Sequence, residues 1–361
     1  MKPILPDYSD RCVNRLVPSL LGTSDVSSCF SEDIFLAKTV VLLVLDGLGW
    51  QQFQGNKEIF TALSEFSGNS ITTVAPSTTA TALTSITTGV PPGEHGIVGY
   101  RIHVDGGILN SLRWSTGNGS YKPDPYEFQL QTVFENQQPK VVTSAAHEGS
   151  GFTKAHLRDA RFSGYSSRSE LIELVVDSVE KSEAFIYAYW DGVDRIAHEF
   201  GFTDRYFNEL EECDLMIAEL LQRLPSNVAL IVTSDHGQVE VGDRMIELTD
   251  DINNLLSKQS GEARFRWLHA VVGGEQDLLE TAKETFEDVA WVMSKKEIIN
   301  EGWFGPLVHK TVEDRLGDVA LVAREKVGFT DPAEKMPFKL ITRHGSLTRD
   351  EMHVPLLSTV T

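Results

Sequence analysis

Acidic residues follow three of the most apolar runs in the sequence, at the point where each run ends. Each run has the length and β-branched content of a strand buried on both faces of a sheet. Asp46 follows Val40–Leu45, Asp191 and Asp194 come shortly after Ala184–Tyr189, and Asp235 comes shortly after Val228–Thr233. The carboxyl ends of parallel strands meet at one edge of a sheet, where open α/β folds bind their ligands. Carboxylates crowded there repel one another unless a cation lies between them, so the pattern predicts a divalent metal site.

Histidines accompany two of these aspartates at ligand-like spacing. Asp194 and His198 are four residues apart, so on a helix both side chains project from one face. Asp235 and His236 are adjacent at a predicted strand exit, where a sharp loop can turn both into one site. Mixed histidine and carboxylate ligation suits Zn2+, with Mn2+ or iron as alternative occupants. The ligands outnumber those of one catalytic zinc, which indicates two divalent metal ions of the kind that assist phosphoryl transfer.

A cluster of hydroxyl groups provides the candidate nucleophile. Ser77, Thr78 and Thr79 lie between a predicted strand at Ile71–Val74 and a predicted helix at Ala80–Thr88. The exposed N–H groups of a helix N-terminus favour a phosphate, and a nearby metal lowers the pKa of a hydroxyl group enough to form an alkoxide nucleophile. Hydroxyl groups at a helix start are also common N-caps, and this segment by itself favours that simpler interpretation.

Helical patterns alternate with the apolar runs, and this alternation predicts the fold. Residues 204–224 have helical spacing of apolar positions, and Ser167–Ser182 opens with a capping box at Ser167 and Glu170. A fourth apolar run lies at Lys140–Thr143. Strand and helix in alternation indicate an α/β fold with a mostly parallel central sheet flanked by helices.

The pattern of apolar and polar residues changes between residues 250 and 337. Phe265 and Trp267 alternate with other residues, an acidic helical stretch follows at Glu275–Glu287, and a short apolar run comes next. We interpret residues 250–337 as a small α+β cap inserted into a core formed by residues 1–249 and 338–361. The irregular stretch at Gly99–Glu127 is expected to lie over the edge of the sheet.

Charge and composition exclude several classes of function. The chain carries 32 Lys and Arg against 52 Asp and Glu, a formal net charge of −20, without a basic run to reverse the sign locally. Binding to a nucleic acid polymer is therefore not expected. The apolar runs are too short for a membrane span or a signal peptide, and three scattered cysteines do not form a disulfide framework. We expect a cytoplasmic protein with no membrane partner, and the oligomeric state stays open.

Five segments together resemble the alkaline phosphatase superfamily, and most of all its type I phosphodiesterase/nucleotide pyrophosphatase branch. In chain order they are VLLVLDGLG, PSTTATALTSITTGVPPGEHGIVGY, YWDGVDRIAHEFG, TSDHG and RHGSLTRDEMHVPLL. The resemblance runs from residue 40 to the C-terminus and leaves out the 250–337 insertion. It implies an alkaline phosphatase-like core in which a threonine nucleophile acts beside two metal ions.

The resemblance also implies which residues bind the metals. One ion would be surrounded by Asp46, Thr79, Asp235 and His236, and the other by Asp194, His198 and His344. Thr79 is preferred to Thr78 as the catalytic residue because the family's nucleophile lies ten residues before the position of Gly89. His344 is preferred to His353 because family members pair the last ligand with a following glycine.

One departure from the family pattern concerns the substrate. Nucleotide pyrophosphatases have an asparagine after the HGI segment that helps to hold the phosphoryl oxygen, whereas Gly99 and Tyr100 occupy this region here. Tyr100, Arg101 or His103 would supply the missing hydrogen-bond donor, and an ordinary loop role is an equally good interpretation of all three.

The resulting prediction is metal-dependent hydrolysis of phosphodiester or pyrophosphate bonds in a nucleotide-like small molecule, through a phosphothreonine intermediate. A phosphomonoesterase, a phosphonate hydrolase or a phosphomutase built on the same two-metal site is the alternative within enzymes. A non-catalytic scaffold that retains the fold is the alternative of another class. The partner under the first prediction is a small phosphate-ester substrate.

Overall fold

The computed structural model describes residues 2–24, 29–117, 119, 121–334 and 339–361. Its strands, numbered in chain order, have the following bounds. They are β1 (Thr39–Leu45), β2 (Ser67–Thr72), β3 (Arg101–Val104), β4 (Gly107–Asn110), β5 (Ser115–Thr116), β6 (Lys140–Ser144), β7 (Arg161–Tyr165), β8 (Phe185–Trp190), β9 (Val228–Thr233), β10 (Val239–Glu240), β11 (Met245–Ile246), β12 (Leu256–Glu262), β13 (Phe265–Ala270), β14 (Ala290–Ser294), β15 (Val319–Ala323), β16 (Gly328–Phe329), β17 (Thr342–Arg343) and β18 (His353–Val360).

The α-helices range from single turns to the twenty residues of α10. In chain order they are α1 (Leu16–Leu20), α2 (Glu32–Leu36), α3 (Trp50–Gly55), α4 (Thr79–Thr88), α5 (Pro92–His95), α6 (Pro125–Phe128), α7 (Gly151–His156), α8 (Arg168–Glu180), α9 (Gly192–Phe200), α10 (Asp204–Arg223), α11 (Asp250–Asn254), α12 (Glu275–Phe286), α13 (Lys295–Asn300), α14 (Lys310–Glu313) and α15 (Arg349–Met352). None of these helices combines the length and the apolar composition needed to cross a bilayer.

A seven-stranded sheet in the order β2-β18-β9-β1-β8-β6-β7 forms the centre of the fold. The five strands from β9 to β7 run parallel, and β18 pairs antiparallel with both β9 and β2. The prediction of a mostly parallel sheet flanked by helices is therefore confirmed. The four predicted strand runs became β1, β6, β8 and β9, each within one residue of the expected ends.

Both faces of the sheet are covered, which explains why its central strands lack polar alternation. Along β1, Val40, Leu42 and Val44 belong to one hydrophobic cluster, whereas Val41, Leu43 and Leu45 belong to another on the opposite face. Helices α8 and α10 contribute the apolar side chains of the second cluster. Every side chain of β1 is buried, and the strand is apolar from Val40 to Leu45, where it ends just before the first carboxylate.

Helix α4 lies buried against the first cluster, and its start is close to the C-terminal edge of the sheet. All ten of its residues are buried, including its threonines, several of which return hydrogen bonds to carbonyl groups one turn earlier. Gly89 ends the helix with φ +78°, a left-handed conformation that glycine adopts without steric cost.

The 250–337 segment builds a second, antiparallel sheet in the order β12-β13-β15-β14. Its outer face packs with α12 in a separate cluster that includes Leu278 and Phe286. Its inner face places Phe265 and Trp267 in the same cluster as the central sheet. The predicted end of the insertion at residue 337 and the return to the core at residue 338 lie outside the described residues.

Candidate active site

Three strand ends and one helix start meet at the C-terminal edge of the central sheet. Asp46 follows β1, Asp235 comes two residues after β9, and Asp194 lies in the first turn of α9, just after β8. The turn after Asp46 requires Gly47, which has φ +75° and whose N–H group donates to Asp235 Oδ1 at 3.1 Å. A Cβ atom at this glycine would lie 2.9 Å from Asp194 Cβ, so a side chain there would displace the carboxylates.

Among the described residues, each of the three aspartates has one buried carboxylate oxygen without a hydrogen-bond partner. These atoms are Oδ1 of Asp46, Oδ1 of Asp194 and Oδ2 of Asp235. The other oxygen of Asp46 accepts a short hydrogen bond from the Tyr189 hydroxyl group. Oδ1 of Asp235 accepts from the N–H groups of Gly47 and His236. The protein thus holds two of the carboxylates by one oxygen and leaves the other oxygen of each unsatisfied, which is costly unless a cation binds it.

Three histidines face this cluster through Nε2. Their Nδ1 atoms lie 2.8 to 3.1 Å from backbone carbonyl oxygens, which only accept hydrogen bonds, so each Nδ1 carries a proton. The carbonyl partners are Thr342 for His198, Gly237 for His236 and Ser77 for His344. In the neutral ring Nε2 then carries no proton, and its lone pair is available to a metal. The carbonyl group fixes the orientation of the ring.

The distances bring the six predicted aspartate and histidine ligands into one cluster. His236 Nε2 lies 3.4 Å from Asp46 Oδ1 and 3.5 Å from Asp235 Oδ2. Asp194 lies 3.4 Å from His198 Nε2 through Oδ2 and 3.9 Å from His344 Nε2 through Oδ1. The rings of His236 and His344 stack with centroids 3.6 Å apart and join the two halves.

The electrostatics of the cluster oppose its ligands in the charged state. Burial, followed by the charges of Asp235 and Asp194, raises the pKa of Asp46 well above its usual value. Burial, followed by the charges of Asp235 and Asp191, does the same to the pKa of Asp194. Burial lowers the pKa of His198 to about 4 and also lowers the pKa of His344 and of His236. A bound cation would favour the neutral histidines and would offset the repulsion that raises the pKa of the aspartates, so that they bind as carboxylates.

These donors fit divalent metal ions. Two groups have ligand atoms within 4.8 Å of one another, Asp46–Asp235–His236 and Asp194–His236–His344, and both place unpartnered carboxylate oxygens against histidine lone pairs. Without a cation, such atoms repel one another. His198 joins the second group through its contact with Asp194. His353 instead begins β18, where it pairs with Thr72, and belongs to neither group.

Thr79 is the first residue of α4 and lies beside the cluster. Its Oγ1 atom is 3.1 Å from His236 Nε2. Thr78 is the N-cap residue, yet its side chain makes no capping hydrogen bond, so the simple N-cap interpretation does not apply to it. Ser77 donates from Oγ to the Ser346 carbonyl group at 2.6 Å. Of the three hydroxyl groups, the one on Thr79 contacts a predicted metal ligand.

Thr79 borders two cavities. The first, of about 280 Å³, is lined by residues that include Tyr100, Glu262, Arg343 and His344. The second, of about 310 Å³, is lined by residues that include His147, His156, Tyr187 and Asp191. Thr79, Leu112, Asp194 and Arg195 line both cavities. Each of the two cavities therefore provides space next to Thr79.

The three predicted substrate contacts lie in different places. Tyr100 lines the first cavity. Arg101 is 8% exposed and forms a short ion pair with Asp331, away from that cavity. His103 contacts the Asp314 carbonyl oxygen through Nδ1 and Lys258 Nζ through Nε2. The structure brings only Tyr100 of the three to the metal cluster side.

Sequence reasoning missed several residues at the site. Tyr189 holds Asp46, Glu262 and Arg343 line the first cavity, and His147 lines the second cavity although its sequence neighbours give no sign of a site. Tyr189 had a usable signal, because it lies in the same strand exit as Asp191 and Asp194. No local sequence pattern marks Glu262 as a site residue, since it reaches the site from β12 in the 250–337 segment.

Comparisons with known proteins bear on the family and the fold of the chain. The family model described as type I phosphodiesterase/nucleotide pyrophosphatase matches residues 40–347. No curated protein sequence matches the chain significantly.

Solved structures share the fold at low sequence identity. Murine ectonucleotide pyrophosphatase/phosphodiesterase 5 is 17% identical with a TM-score of 0.66, over 89% of this chain and 87% of the other. An inactive variant of that murine protein, in complex with AMP, aligns equally well. Phosphonoacetate hydrolase from Sinorhizobium meliloti 1021, in complex with phosphonoformate, is 18% identical with a TM-score of 0.65, over 90% of both chains.

Proposed function

The chain belongs to the type I phosphodiesterase/nucleotide pyrophosphatase family, and on this premise we propose that Thr79 is the nucleophile of a metal-dependent phosphodiester or pyrophosphate hydrolase. The enzyme is a hydrolase of that family, and its substrate is a nucleotide-like small molecule. The observation that carries the proposal is the position of Thr79 Oγ1, 3.1 Å from His236 Nε2 and at the start of α4.

Six residues would hold two divalent ions in this site. Asp46, Asp235 and His236 would bind one ion, with Thr79 beside it, whereas Asp194, His198 and His344 would bind the other. When bound, the ions supply positive charge that lowers the pKa of a hydroxyl group and stabilises negative charge on the phosphoryl oxygens. We propose Zn2+ for both because the ligands mix histidine and carboxylate, with Mn2+ or iron as alternatives.

Thr79 carries out the covalent step. Its Oγ1 atom forms a bond to phosphorus while the bond from phosphorus to the leaving oxygen breaks, and the proton of the hydroxyl group passes to solvent water. The backbone N–H groups of the first turn of α4 face the phosphoryl oxygens, where the helix dipole favours negative charge. A water molecule then hydrolyses the resulting phosphothreonine and restores Thr79.

Positioning residues keep this geometry. Tyr189 donates to Asp46 and so aims its free oxygen at the cluster. The carbonyl groups of Thr342, Gly237 and Ser77 hold the three histidine rings through Nδ1. Such second contacts orient the ligands and favour the tautomer that binds a metal.

The two cavities favour a diester over a monoester, because both of them border Thr79. A diester has two substituents on phosphorus, and each cavity can receive one. We also propose that residues 250–337 form a cap over the site, since Glu262 and Ala263 of this segment line the first cavity. The cytoplasmic location and the lack of nucleic acid and membrane partners stay predictions from composition.

Hydrolysis of bis(p-nitrophenyl) phosphate, compared with p-nitrophenyl phosphate, tests the proposal on the metal-loaded protein. The diester should be the better substrate by kcat/KM, and acid-quenched turnover should leave phosphate on Thr79, located by mass spectrometry of peptides. A preference for the monoester would favour a phosphomonoesterase on the same residues. Stoichiometric metal with no turnover of either substrate would contradict the proposed reaction.

A further inference from the structure

Arg343 lies immediately before His344, at the end of β17, and lines the cavity of about 280 Å³ together with Thr79. Its Nε atom is buried without a hydrogen-bond partner. Among the described residues, the guanidinium group has no carboxylate within ion-pair distance. A largely buried cation without a partner is costly, and proteins retain one mainly where a ligand neutralises it.

The acidic residues near Arg343 do not neutralise it. Glu334 is already engaged, at 2.9 Å from Arg266 and 3.7 Å from Arg101. Glu262 accepts from the Tyr100 N–H group at 3.0 Å through Oε2. Burial raises the pKa of Glu262 to about 8, so this carboxyl group is mostly uncharged at neutral pH. The charge of Glu334, which also lines this cavity, favours the charged form of Arg343, but Arg266 and Arg101 share that carboxylate, so no carboxylate among the described residues is paired with Arg343 alone.

The other charged pair that lines this cavity is closer to charge balance. Arg195 and Glu199 lie one turn apart on the exposed side of α9, and both line the cavity. Both are exposed, so water screens them and they contribute little to selectivity. Arg343 is thus the cation with the greatest influence on which ligand this cavity accepts.

We propose that Arg343 binds a second anionic group of the substrate, beside the phosphoryl group that Thr79 attacks. A guanidinium group binds phosphate and carboxylate alike through two parallel hydrogen bonds, so the second group is one of these two. The inference rests on the proposed function and sets the substrate class: doubly anionic phosphate compounds over diesters whose substituents are uncharged. Arg343 is then a specificity-determining residue that affects binding more than the chemical step.

Two pairs of ligands test the inference on the metal-loaded enzyme. Arg343→Met should raise KM for P1,P2-di(adenosine) pyrophosphate by about 10- to 100-fold, the range of a lost hydrogen-bonded charge contact, and change kcat little. Both constants for bis(p-nitrophenyl) phosphate should change less than about twofold. For a carboxylate, the variant should lose the preference of the wild type for phosphonoacetate over methylphosphonate in competitive inhibition.

The outcome identifies the group as well. If Arg343→Met weakens only the binding of the pyrophosphate, the second anionic group is a phosphate. If it weakens only the binding of phosphonoacetate, the group is a carboxylate, and if it weakens both, the site accepts either group. Equal losses on all ligands, or no loss on any, overturn the inference. Arg343→Lys keeps the positive charge but lacks the two parallel N–H donors of a guanidinium group, so it should restore part of the binding of the second anionic group.

Two controls distinguish a lost anion contact from the loss of any arginine or of metal. Arg161→Met removes a half-exposed arginine of β7 that pairs with Glu183, and this variant should leave all constants unchanged. If Arg343→Met loses metal, Arg343→Lys with its metal content intact decides the result. If the wild type hydrolyses no substrate, the proposed function fails, yet calorimetric binding of phosphonoacetate against methylphosphonate still tests Arg343.

Discussion

Thr79 Oγ1 lies 3.1 Å from Nε2 of His236, and Nδ1 of the same ring lies 3.1 Å from the Gly237 carbonyl oxygen. Because a carbonyl oxygen only accepts hydrogen bonds, Nδ1 holds the proton of the neutral ring. His236 therefore turns a lone pair, not a proton, toward the hydroxyl group of Thr79. The loop that follows β9 and the start of α4 thus bring the ring of His236 and the hydroxyl group of Thr79 into contact.

Thr79→Ala should abolish turnover while the metal content stays near that of the wild type. The loss in kcat should be on the order of a thousandfold or more, because the variant has no atom to form the covalent intermediate. Steady-state hydrolysis of bis(p-nitrophenyl) phosphate and metal analysis of the same sample measure the two effects. Thr79→Ser should keep part of the activity, and Thr78→Ala should lose far less than Thr79→Ala. Full activity in Thr79→Ala would refute the assignment.

Removal of the metals should lower the thermal stability as well as the activity. The unpartnered oxygens of Asp46, Asp194 and Asp235 would then face one another and histidine lone pairs without a cation. Zn2+ added back at a hundredfold excess over Kd should stabilise the chelated protein by about 2.7 kcal/mol per site, seen as a rise in Tm. Asp46→Asn should reduce this rise, whereas the exposed Asp288→Asn should not. An unchanged Tm on adding Zn2+, Mn2+ or iron would exclude the cluster as a metal site.

Glu262 should make the protein less stable as the pH rises. Burial raises the pKa of its carboxyl group from 4.5 to about 8, so the folded state keeps a proton that the unfolded state loses at lower pH. Stability from this group is therefore full below about pH 4.5 and declines until the pH passes about 8, by about 5 kcal/mol at most.

Urea unfolding of metal-loaded protein at pH 5 and pH 9 tests this sign. Glu262→Gln is uncharged at both values, so its stability relative to the wild type should increase between pH 5 and pH 9. Glu284→Gln, at an exposed position of α12, should show no such change. A constant difference between wild type and Glu262→Gln would mean that the carboxyl group titrates normally.

Arg264 and Glu351 should contribute strongly to the attachment of the insertion to the core. Their side chains are fully buried and form two hydrogen bonds, at 2.7 Å and 2.8 Å. Arg264→Met leaves Glu351 buried without its partner, which should cost about 3 to 5 kcal/mol of the free energy of unfolding.

A double variant separates the ion pair from its burial. Arg264→Met with Glu351→Leu removes both charges and should be more stable than the sum of the single losses predicts, as urea unfolding of all four proteins would measure. Additive losses would show that the two side chains act independently. Arg324→Met, at a position whose partners are backbone carbonyl groups, provides the comparison for a lost arginine.

Local patterns predicted much of the fold. The helix predicted at 204–224 is α10 (Asp204–Arg223), and the one predicted at Ser167–Ser182 is α8, with Ser167 as its N-cap. These elements are long or fully buried, so their periodicity is strong. The strand predicted at Ile71–Val74 is β2 (Ser67–Thr72), displaced because most of its residues are polar and its register depends on pairing with β18.

The sequence by itself determined the chemistry of the site. Aspartates at the ends of buried strands, and histidines one or four residues away, predict a candidate metal cluster where the strands are parallel, because parallel strands end at a common edge. Their types and order along the chain are enough to name Asp46, Asp194, Asp235 and their histidine partners.

Only the tertiary structure decided what surrounds that cluster. Glu262 and Arg343 come to the first cavity from β12 and β17, more than 180 residues after Thr79. Whether a charge is compensated depends on which side chains the whole fold brings within a few ångströms, and no local spacing records this. Arg101 lies next to Tyr100 in sequence but pairs with Asp331, whereas Arg343 lines the same cavity as Thr79 with no such partner among the described residues.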